Sequence, residues 1–409
     1  MILGFGDHPC FFETNVTMKH FISIRILLLI FLFQAVACKS PQPDGSKMED
    51  PFPHGTSQIE LAYAKGFELY EKDAITFIVV KDPWQGAEEV EFIYVLYPKE
   101  NPKPHFDFEA QYIPVPVESM ACMSSTHVGF MHALGKTSLI QAVSGTRYLH
   151  HPELKESIAI GDLREIGGEG GLNWEVMIEV NPDLLFSYGV GSEVSAISAK
   201  IQELGMNDFM VADYLETHPL GKAEWIKALA PFVQEEATAK QLFDSIQVAY
   251  EAVRENNTRF QHKPRVLTGL PWKEVWYLPG MDSYLAHFIA DAGGNYVWSH
   301  WTKREPQALS LETVYLKAAD ADIWINSGFA QSLEEILSID SRLGDFKSFR
   351  EGKVFNNNKR QNEAGGNDYW ETGILEPHRI LLELTAILHP SDSLQIDFKY
   401  YQRLVSLKL

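Results

Sequence analysis

The stretch Pro231-Phe-Val-Gln-Glu-Glu-Ala-Thr-Ala-Lys-Gln-Leu-Phe-Asp-Ser-Ile-Gln-Val-Ala-Tyr-Glu-Ala-Val-Arg-Glu-Asn-Asn-Thr-Arg-Phe-Gln-His-Lys-Pro264 holds neither Gly nor Pro between its two ends. Within it, apolar residues fall at Ala239, Leu242, Phe243, Ile246, Ala249, Tyr250 and Val253. Steps of three and one trace a single face of an α-helix. Pro231 sits near the expected start, with Glu235 and Glu236 in the first turn, where the helix dipole favours negative charge. Arg254 and Arg259 lie near the other end. A helix of roughly 24 residues at about 1.5 Å each spans about 36 Å, close to a domain diameter. On either side lies a block of domain size that reads as alternating strands and helices. The pattern fits one long helix joining two α/β lobes. It also fits an ordinary core helix of one large domain.

A chain of 409 residues accommodates two domains, and its hydrophobic fraction of 45% is that of a globular protein. The formal charge of −20 argues against a nucleic-acid partner, because phosphate binding needs clustered Lys and Arg. Cys10 and Cys38 belong to the leader discussed next, which leaves Cys122 alone and excludes an internal disulfide framework. There is no CxxC and no zinc pattern. Of the fourteen histidines only His150 and His151 adjoin, and adjacent residues do not face one way. Neither a dedicated metal site nor a cofactor is expected.

Met18-Lys-His-Phe-Ile-Ser-Ile-Arg opens a short basic segment, followed by the apolar run Ile26-Leu-Leu-Leu-Ile-Phe-Leu-Phe33. That run is too short to span a bilayer stably. Gln34-Ala-Val-Ala-Cys38 places small residues before a cysteine, which resembles a bacterial lipoprotein signal. Residues 18–37 are then a signal peptide, and Cys38 is the lipidated residue of a periplasm-facing, membrane-anchored protein. Residues 1–17 fit no targeting pattern and read as a start codon placed too early. Residues 38–56, rich in Pro, Ser, Gly and charge, read as a flexible tether.

Residues 57–231 read as an N-terminal α/β lobe with a β-rich start. Phe67 to Tyr70, Ile75 to Val80 and Val90 to Tyr97 are strand-like, and Pro83-Trp-Gln-Gly suits a hairpin connection. From Ala121 the pattern changes to strand–helix alternation, which implies a parallel sheet. Strands are expected at Ile140-Gln-Ala-Val-Ser, Asn181 to Tyr188 and Asn207 to Ala212, with helices at Trp174–Val180 and Ser192–Leu204. Gly167-Gly-Glu-Gly-Gly171 reads as a loop. After the inter-lobe helix, residues 232–262, the alternation resumes over residues 263–409. Strands are expected at Pro264 to Gly269, Ala321 to Asn326 and Gly352 to Phe355, with helices after Asp282 or Ser283, over Leu311–Ala319 and from Gly373 to Leu388. Trp272 and Trp276 are placed in a loop and Trp324 in the core.

Several of these stretches resemble one family. Val115-Pro-Val-Glu-Ser-Met-Ala-Cys-Met-Ser-Ser-Thr and Gly135-Lys-Thr-Ser-Leu-Ile-Gln-Ala-Val-Ser-Gly-Thr-Arg-Tyr are similar to the opening strands of class III ABC-transporter substrate-binding proteins, the ferric-siderophore, haem and cobalamin group. Leu172-Asn-Trp-Glu-Val-Met-Ile-Glu-Val-Asn-Pro-Asp-Leu-Leu looks like that family's N-x-E…L-x-P-D run. In the second lobe, Gly280-Met-Asp-Ser-Tyr, Ala292-Gly-Gly-Asn, Asp368-Tyr-Trp-Glu and Pro377-His-Arg look like its markers. The resemblance runs from about Val115 to Pro390. It implies two Rossmann-like lobes with parallel sheets, joined by a long helix that permits only a small hinge motion. The β-rich part before Val115 departs from the shorter family members.

In parallel sheets, ligands bind outside the carboxyl ends of the strands. The expected cleft residues are therefore Ser125, Thr126, Arg147, Tyr148 and Tyr188 in the first lobe. In the second they are Trp272, Trp276, Tyr284, Trp301, Arg360, Tyr369 and Trp370. Aromatics suit large, partly apolar ligands such as porphyrins, corrins or catecholates. Arg147 and Arg360 suit anionic groups through the guanidinium fork. The resemblance further implies that Glu175 and Glu312, each opening a helix in a different lobe, engage arginines of a permease dimer; both positions equally suit helix N-terminal glutamates. The expectation is a monomeric binding lipoprotein that delivers a ferric siderophore to an ABC importer whose ATPase is a separate subunit. Cobalamin and haem are the alternative ligands. A secreted α/β enzyme is the rival class, but no Gly-x-Ser-x-Gly elbow, P-loop or paired carboxylates support it.

Overall fold

The computed structural model describes residues 52–168, 171–191, 193–302, 306–390 and 396–406. The assignments of a misplaced start, a signal peptide, a lipidated Cys38 and most of the tether lie outside the described residues. The chain divides after Pro53; the architecture below is that of the second unit, His54–Leu409.

Its first five strands form one sheet: β1 (Ser57–Ile59), β2 (Phe67–Lys72), β3 (Ile75–Lys81), β4 (Glu91–Pro98) and β5 (Gln111–Val115), paired in that order. The first four run antiparallel, and β5 pairs parallel to β4. Strand β3 is buried from Phe77 to Val80, which explains why it reads as a continuous apolar run rather than an alternation. The loop from β3 to β4 closes on itself. The Asp82 N–H donates to the Val90 carbonyl at 2.7 Å, and the Asp82 carboxylate accepts the Val90 N–H at 3.1 Å.

Two buried carboxylates hold the β1–β2 connection of this sheet against the first lobe. Glu224 accepts the N–H groups of Ala62, Tyr63 and Ala64, and Glu216 those of Lys65 and Gly66. Phe67 packs on Trp225 and Tyr94 on Phe209, each with ring centroids 4.8 Å apart. The β-rich start is thus part of the core.

The first lobe continues through β6 (Met120–Cys122), α1 (Ser125–Ala133), β7 (Ile140–Val143), α2 (Pro152–Ile160) and β8 (Arg164–Glu165). A two-residue ribbon, β9 (Gly167–Gly168) with β10 (Gly171–Leu172), stands where the glycine-rich loop was expected. Then come α3 (Trp174–Val180), β11 (Leu184–Ser187), α4 (Glu193–Glu203) and β12 (Asp208–Met210). The sheet is wholly parallel, in the order β12-β11-β6-β7-β8. The chain leaves β6 toward one side and returns to its other side at β11, so the topological switch point lies between these two strands.

After α5 (Pro219–Glu224), Pro231 falls in a separate 3₁₀ turn, Ala230–Val233, rather than in the first turn of the long helix. Gln234, at φ +57°, breaks the path between them. Helix α6 then runs 22 residues, Glu236–Asn257, burying Ala239, Phe243, Ile246 and Tyr250 along the expected face.

The second lobe comprises β13 (Arg265–Thr268), β14 (Val275–Leu278), α7 (Tyr284–Asp291), β15 (Asn295–Tyr296), β16 (Gln307–Ser310), α8 (Leu311–Ala318), β17 (Ile323–Ile325), β18 (Val354–Asn356), α9 (Pro377–Leu388) and β19 (Gln402–Arg403). Its sheet order is β15-β13-β17-β18-β19, parallel except for the last pair. Its switch point lies between β13 and β17. Two Rossmann-like lobes thus flank one long helix, with an added β-sheet at the front of the chain. Among the described residues no helix is long and apolar enough to cross a membrane.

Candidate functional site

A crevice outside the carboxyl ends of parallel strands, at the switch point, is where an open α/β sheet presents its side chains to a ligand. In the first lobe the start of α1 after β6 carries Thr126, and the loop leaving β11 carries Tyr188, to that place. In the second, the loops leaving β13 and β17 carry Trp272 and Phe329. Hydrogen bonds join the segments that follow β6 and β7 in the first lobe to the segment that follows β18 in the second, so the carboxyl ends of the two sheets face each other. The Thr126 hydroxyl donates to the Trp370 carbonyl at 3.0 Å. The Asn362 amide donates to the carbonyls of Arg147 and Leu149 at 3.0 and 3.1 Å.

Aromatic rings from both lobes form the floor. Tyr188 meets His127 edge-on at 6.1 Å and Tyr214 at 6.4 Å. The Tyr214 hydroxyl donates to the Gly189 carbonyl at 2.8 Å, which fixes that ring. From the second lobe, Tyr284 lies 6.1 Å from Trp370 and 4.9 Å from Phe288. The helices behind them are capped as their sequences dictate: Ser124 caps α1, and Ser283, rather than Asp282, caps α7.

Beneath the floor the electrostatics are those of a desolvated site. His127 is buried and its pKa is pushed down to about 3 by burial, so the ring is neutral. Burial pushes the Asp213 carboxyl up, against the pull of the Lys222 ammonium 3.7 Å away. That ammonium also lies 5.3 Å over the Tyr284 ring, so a first-lobe cation touches a second-lobe aromatic.

Along one side the lobes meet backbone to backbone. A Cβ on Gly129 of α1 would lie 2.0 Å from the Glu371 carbonyl oxygen, and one on Gly366 would lie 1.8 Å from that of Tyr148. Glu371 is buried here, and its carboxylate accepts the His150 N–H at 2.7 Å. Burial pushes its pKa up to about 7. His151 meets His132 at 2.8 Å between ring nitrogens.

The expected residues do not share one environment. Thr126 and Tyr284 each reach Trp370, and Tyr188 stands beside Tyr214. Arg147 stands exposed with its guanidinium 4.6 Å over the Tyr148 ring, and Trp272 stands exposed on the second-lobe edge. Ser125 begins α1 and is half-buried; Trp301 is half-buried against Trp298 at 5.7 Å. Two expectations give way. Trp276 lies in β14, not in a loop, and the β14–β16 ribbon turns it into the core. Its indole donates to the Thr268 carbonyl at 3.0 Å and packs on Trp324 and Phe346. Tyr369 is likewise buried, against Tyr400 and Tyr401, one residue from the exposed Trp370.

Arg360 is held by Asp368 at 2.6 Å and lines a different hollow, on the flank beside α6. That hollow has a volume of about 1040 Å³. Its cations are each paired: Lys359 with Asp397, Arg360 with Asp368, Arg379 with Glu383 and Lys399 with Glu376. It lies away from both switch points, and its size alone does not make it the site.

Phe329, 56% exposed beyond β17, escaped the sequence reading. The signal was present in Ser327-Gly-Phe directly after the strand Ala321 to Asn326. Glu175 and Glu312 are both exposed at helix starts capped by Asn173 and Ser310. Glu312 already has a partner within the chain, Arg342 at 2.9 Å.

The sequence profile described as "periplasmic binding protein" matches residues 120–359. An uncharacterised lipoprotein of Methanocaldococcus jannaschii is 27% identical over 405 residues, covering 91% of this chain and 94% of that one. Among solved structures, a possible iron-binding (periplasmic solute-binding) protein of Staphylococcus epidermidis superposes with a TM-score of 0.53 at 14% identity. The match covers 67% of this chain and 100% of that one. A periplasmic haem-binding protein of Pseudomonas aeruginosa gives 0.52 at 15% identity over 67% and 94%. At these identities the likeness is one of fold.

Proposed function

The chain belongs to the periplasmic binding protein family, class III, and on that premise we propose that it is the solute-binding lipoprotein of an ABC importer that captures a ferric siderophore between its lobes. The observation that carries this reading is that segments at the carboxyl ends of both sheets meet through the Thr126–Trp370 contact, with Tyr188 exposed in one lobe and Trp370 in the other. Exposed rings on both edges offer large contact area at little conformational cost. Arg147, stacked on Tyr148, supplies a cation for an anionic chelate. Haem or cobalamin is the second reading, supported by the exposed Trp272 and Phe329, which suit a flat macrocycle.

The remaining roles follow from the same reading. Glu175 and Glu312 dock the permease dimer, the ATPase being a separate subunit. Cys38 carries the lipid, in keeping with the lipoprotein named among the relatives. The helix α6 keeps the closing motion small. No chemistry is catalysed.

Tryptophan fluorescence of the chain, titrated with ferric siderophores, haem and cobalamin under inner-filter controls, tests this reading. Saturable submicromolar quenching by one class is the expected outcome. No response to any class, repeated by calorimetry, would overturn it.

A further inference from the structure

We propose that the Asp82–Val90 loop of the N-terminal sheet is a third wall of the solute crevice, and that it receives an ammonium group carried by the iron chelate. The inference rests on the solute-binding reading and narrows its ligand. Its basis is a cavity of about 420 Å³ bounded by three parts of the chain. The loop contributes Asp82, Trp84 and Glu88, the first lobe Tyr214, and the second lobe Asp282 and Tyr284. Tyr214 and Tyr284 are also floor rings of the crevice, so the cavity is a corner of that site rather than a separate one. Its volume lies within the range of small-molecule sites, roughly 300–1,000 Å³.

The chemistry of the walls selects the guest. Three aromatic rings and four carboxylates, those of Asp82, Glu88, Asp282 and the backbone-bound Glu216, line one space, and no Lys or Arg occurs among its described lining residues. Rings attract a cation through their negative faces, and carboxylates accept its N–H groups in charge-assisted bonds. Asp282 is held ionised, since the hydrogen bond from His287 keeps its carboxyl below the usual range. An adjoining hollow of about 210 Å³ shares Asp82 and Asp282 and has Lys65 and Lys81 on its rim. The Lys81 ammonium is paired with Glu68 at 2.5 Å. Arg147 stands on a different loop of the crevice, so a chelate with an anionic part and an ammonium arm finds a partner for each.

The loop is built to keep its place. Glu216 and Glu224 fix the β1–β2 connection of its sheet, and the Asp82–Val90 bonds close the loop itself. It therefore travels with the first lobe, while Asp282 and Tyr284 travel with the second. Carboxylates from both sides thus face one guest.

The test compares two ferric trihydroxamates with the same iron centre, using the full-length chain in detergent micelles. Ferrioxamine B carries a free terminal ammonium; cyclic ferrioxamine E carries none. The expected result is that the wild-type chain binds ferrioxamine B about tenfold more tightly, and that Asp82→Asn with Glu88→Gln brings the ratio to within about twofold. Asn at 82 keeps an acceptor for the Val90 N–H, so the loop still closes. Trp84→Phe, which weakens the cation–π face, is expected to lower the ratio part-way. Equal wild-type affinities, or a ratio unmoved by the carboxylate substitutions, would overturn the inference. So would failure to bind either chelate. In that case quenching by haem, cobalamin or an anionic catecholate chelate leaves the solute-binding reading standing, and silence from all of them removes both.

Discussion

Glu224 holds the backbone of Tyr63 across 161 positions of sequence: its Oε2 accepts the Tyr63 N–H at 2.7 Å. The same carboxylate takes the N–H groups of Ala62 and Ala64 and the Lys227 ammonium. Removing this buried carboxylate takes the partner from three part-buried backbone donors and from Lys227. Glu224→Ala is expected to cost about 3 kcal/mol, the order found when one side of a buried charged network is deleted. Urea unfolding measures it, and an unchanged midpoint would show that the N-terminal sheet is anchored elsewhere.

Glu371 gives a pH dependence of defined sign. Its folded-state pKa is about 7, against an ordinary 4.5. Between those values the folded chain keeps a proton that the unfolded chain has lost. The group's contribution is therefore full below pH 4.5 and is lost as pH rises through 7. A difference of that size corresponds to at most about 3 kcal/mol. Glu371→Gln, with no charge to bury, should be more stable than wild type at pH 8 and about equal at pH 5. His127 and His218, depressed to about 3 and 4, act with the opposite sign in both proteins and cancel in the comparison. Equal stability at pH 8 would refute the burial of a charge at this contact.

Trp276 and Trp370 should separate stability from binding. Trp276→Ala empties a core position and is expected to cost about 3–5 kcal/mol. Trp370→Ala removes a 43% exposed ring and should change stability little while weakening solute quenching. The opposite pattern in thermal melting would reverse their assignments.

Glu175→Arg with Glu312→Arg is expected to abolish solute uptake in cells while leaving solute affinity intact. Arg342→Ala alone frees Glu312 from its 2.9 Å partner and should not reduce uptake. Normal uptake by the charge-reversed chain would remove both glutamates from docking.

Cys38→Ala should shift the protein from the membrane to the soluble fraction after cell lysis. Persistent membrane association would disprove lipidation at that position.

The alternation of strands and helices and the single long helix were legible because their signals are local. Ala239, Phe243, Ile246 and Tyr250 repeat on one face whatever the rest of the chain does. The site was legible only in part. Trp272 and Trp276 look alike in sequence, but the antiparallel pairing of Trp276 with Leu309 decides which side of a ribbon it occupies. Tyr369 and Trp370 are neighbours with opposite fates for a similar reason, since the short helix that starts at Asp368 turns one inward and the other outward. The place of the N-terminal sheet was not legible, because Glu216 and Glu224 meet their partners about 150 residues away.

Gly129 and Gly366 set a mechanical limit. Where α-carbons rest against the opposing carbonyls of Glu371 and Tyr148, the lobes' distance of closest approach is fixed by two hydrogen atoms. A single methyl group at either position is a spacer built into the chain, thicker than the gap it enters. Alanine there would act as a doorstop, and the resting aperture of the molecule could be graded by side-chain size without altering any residue that faces the solute.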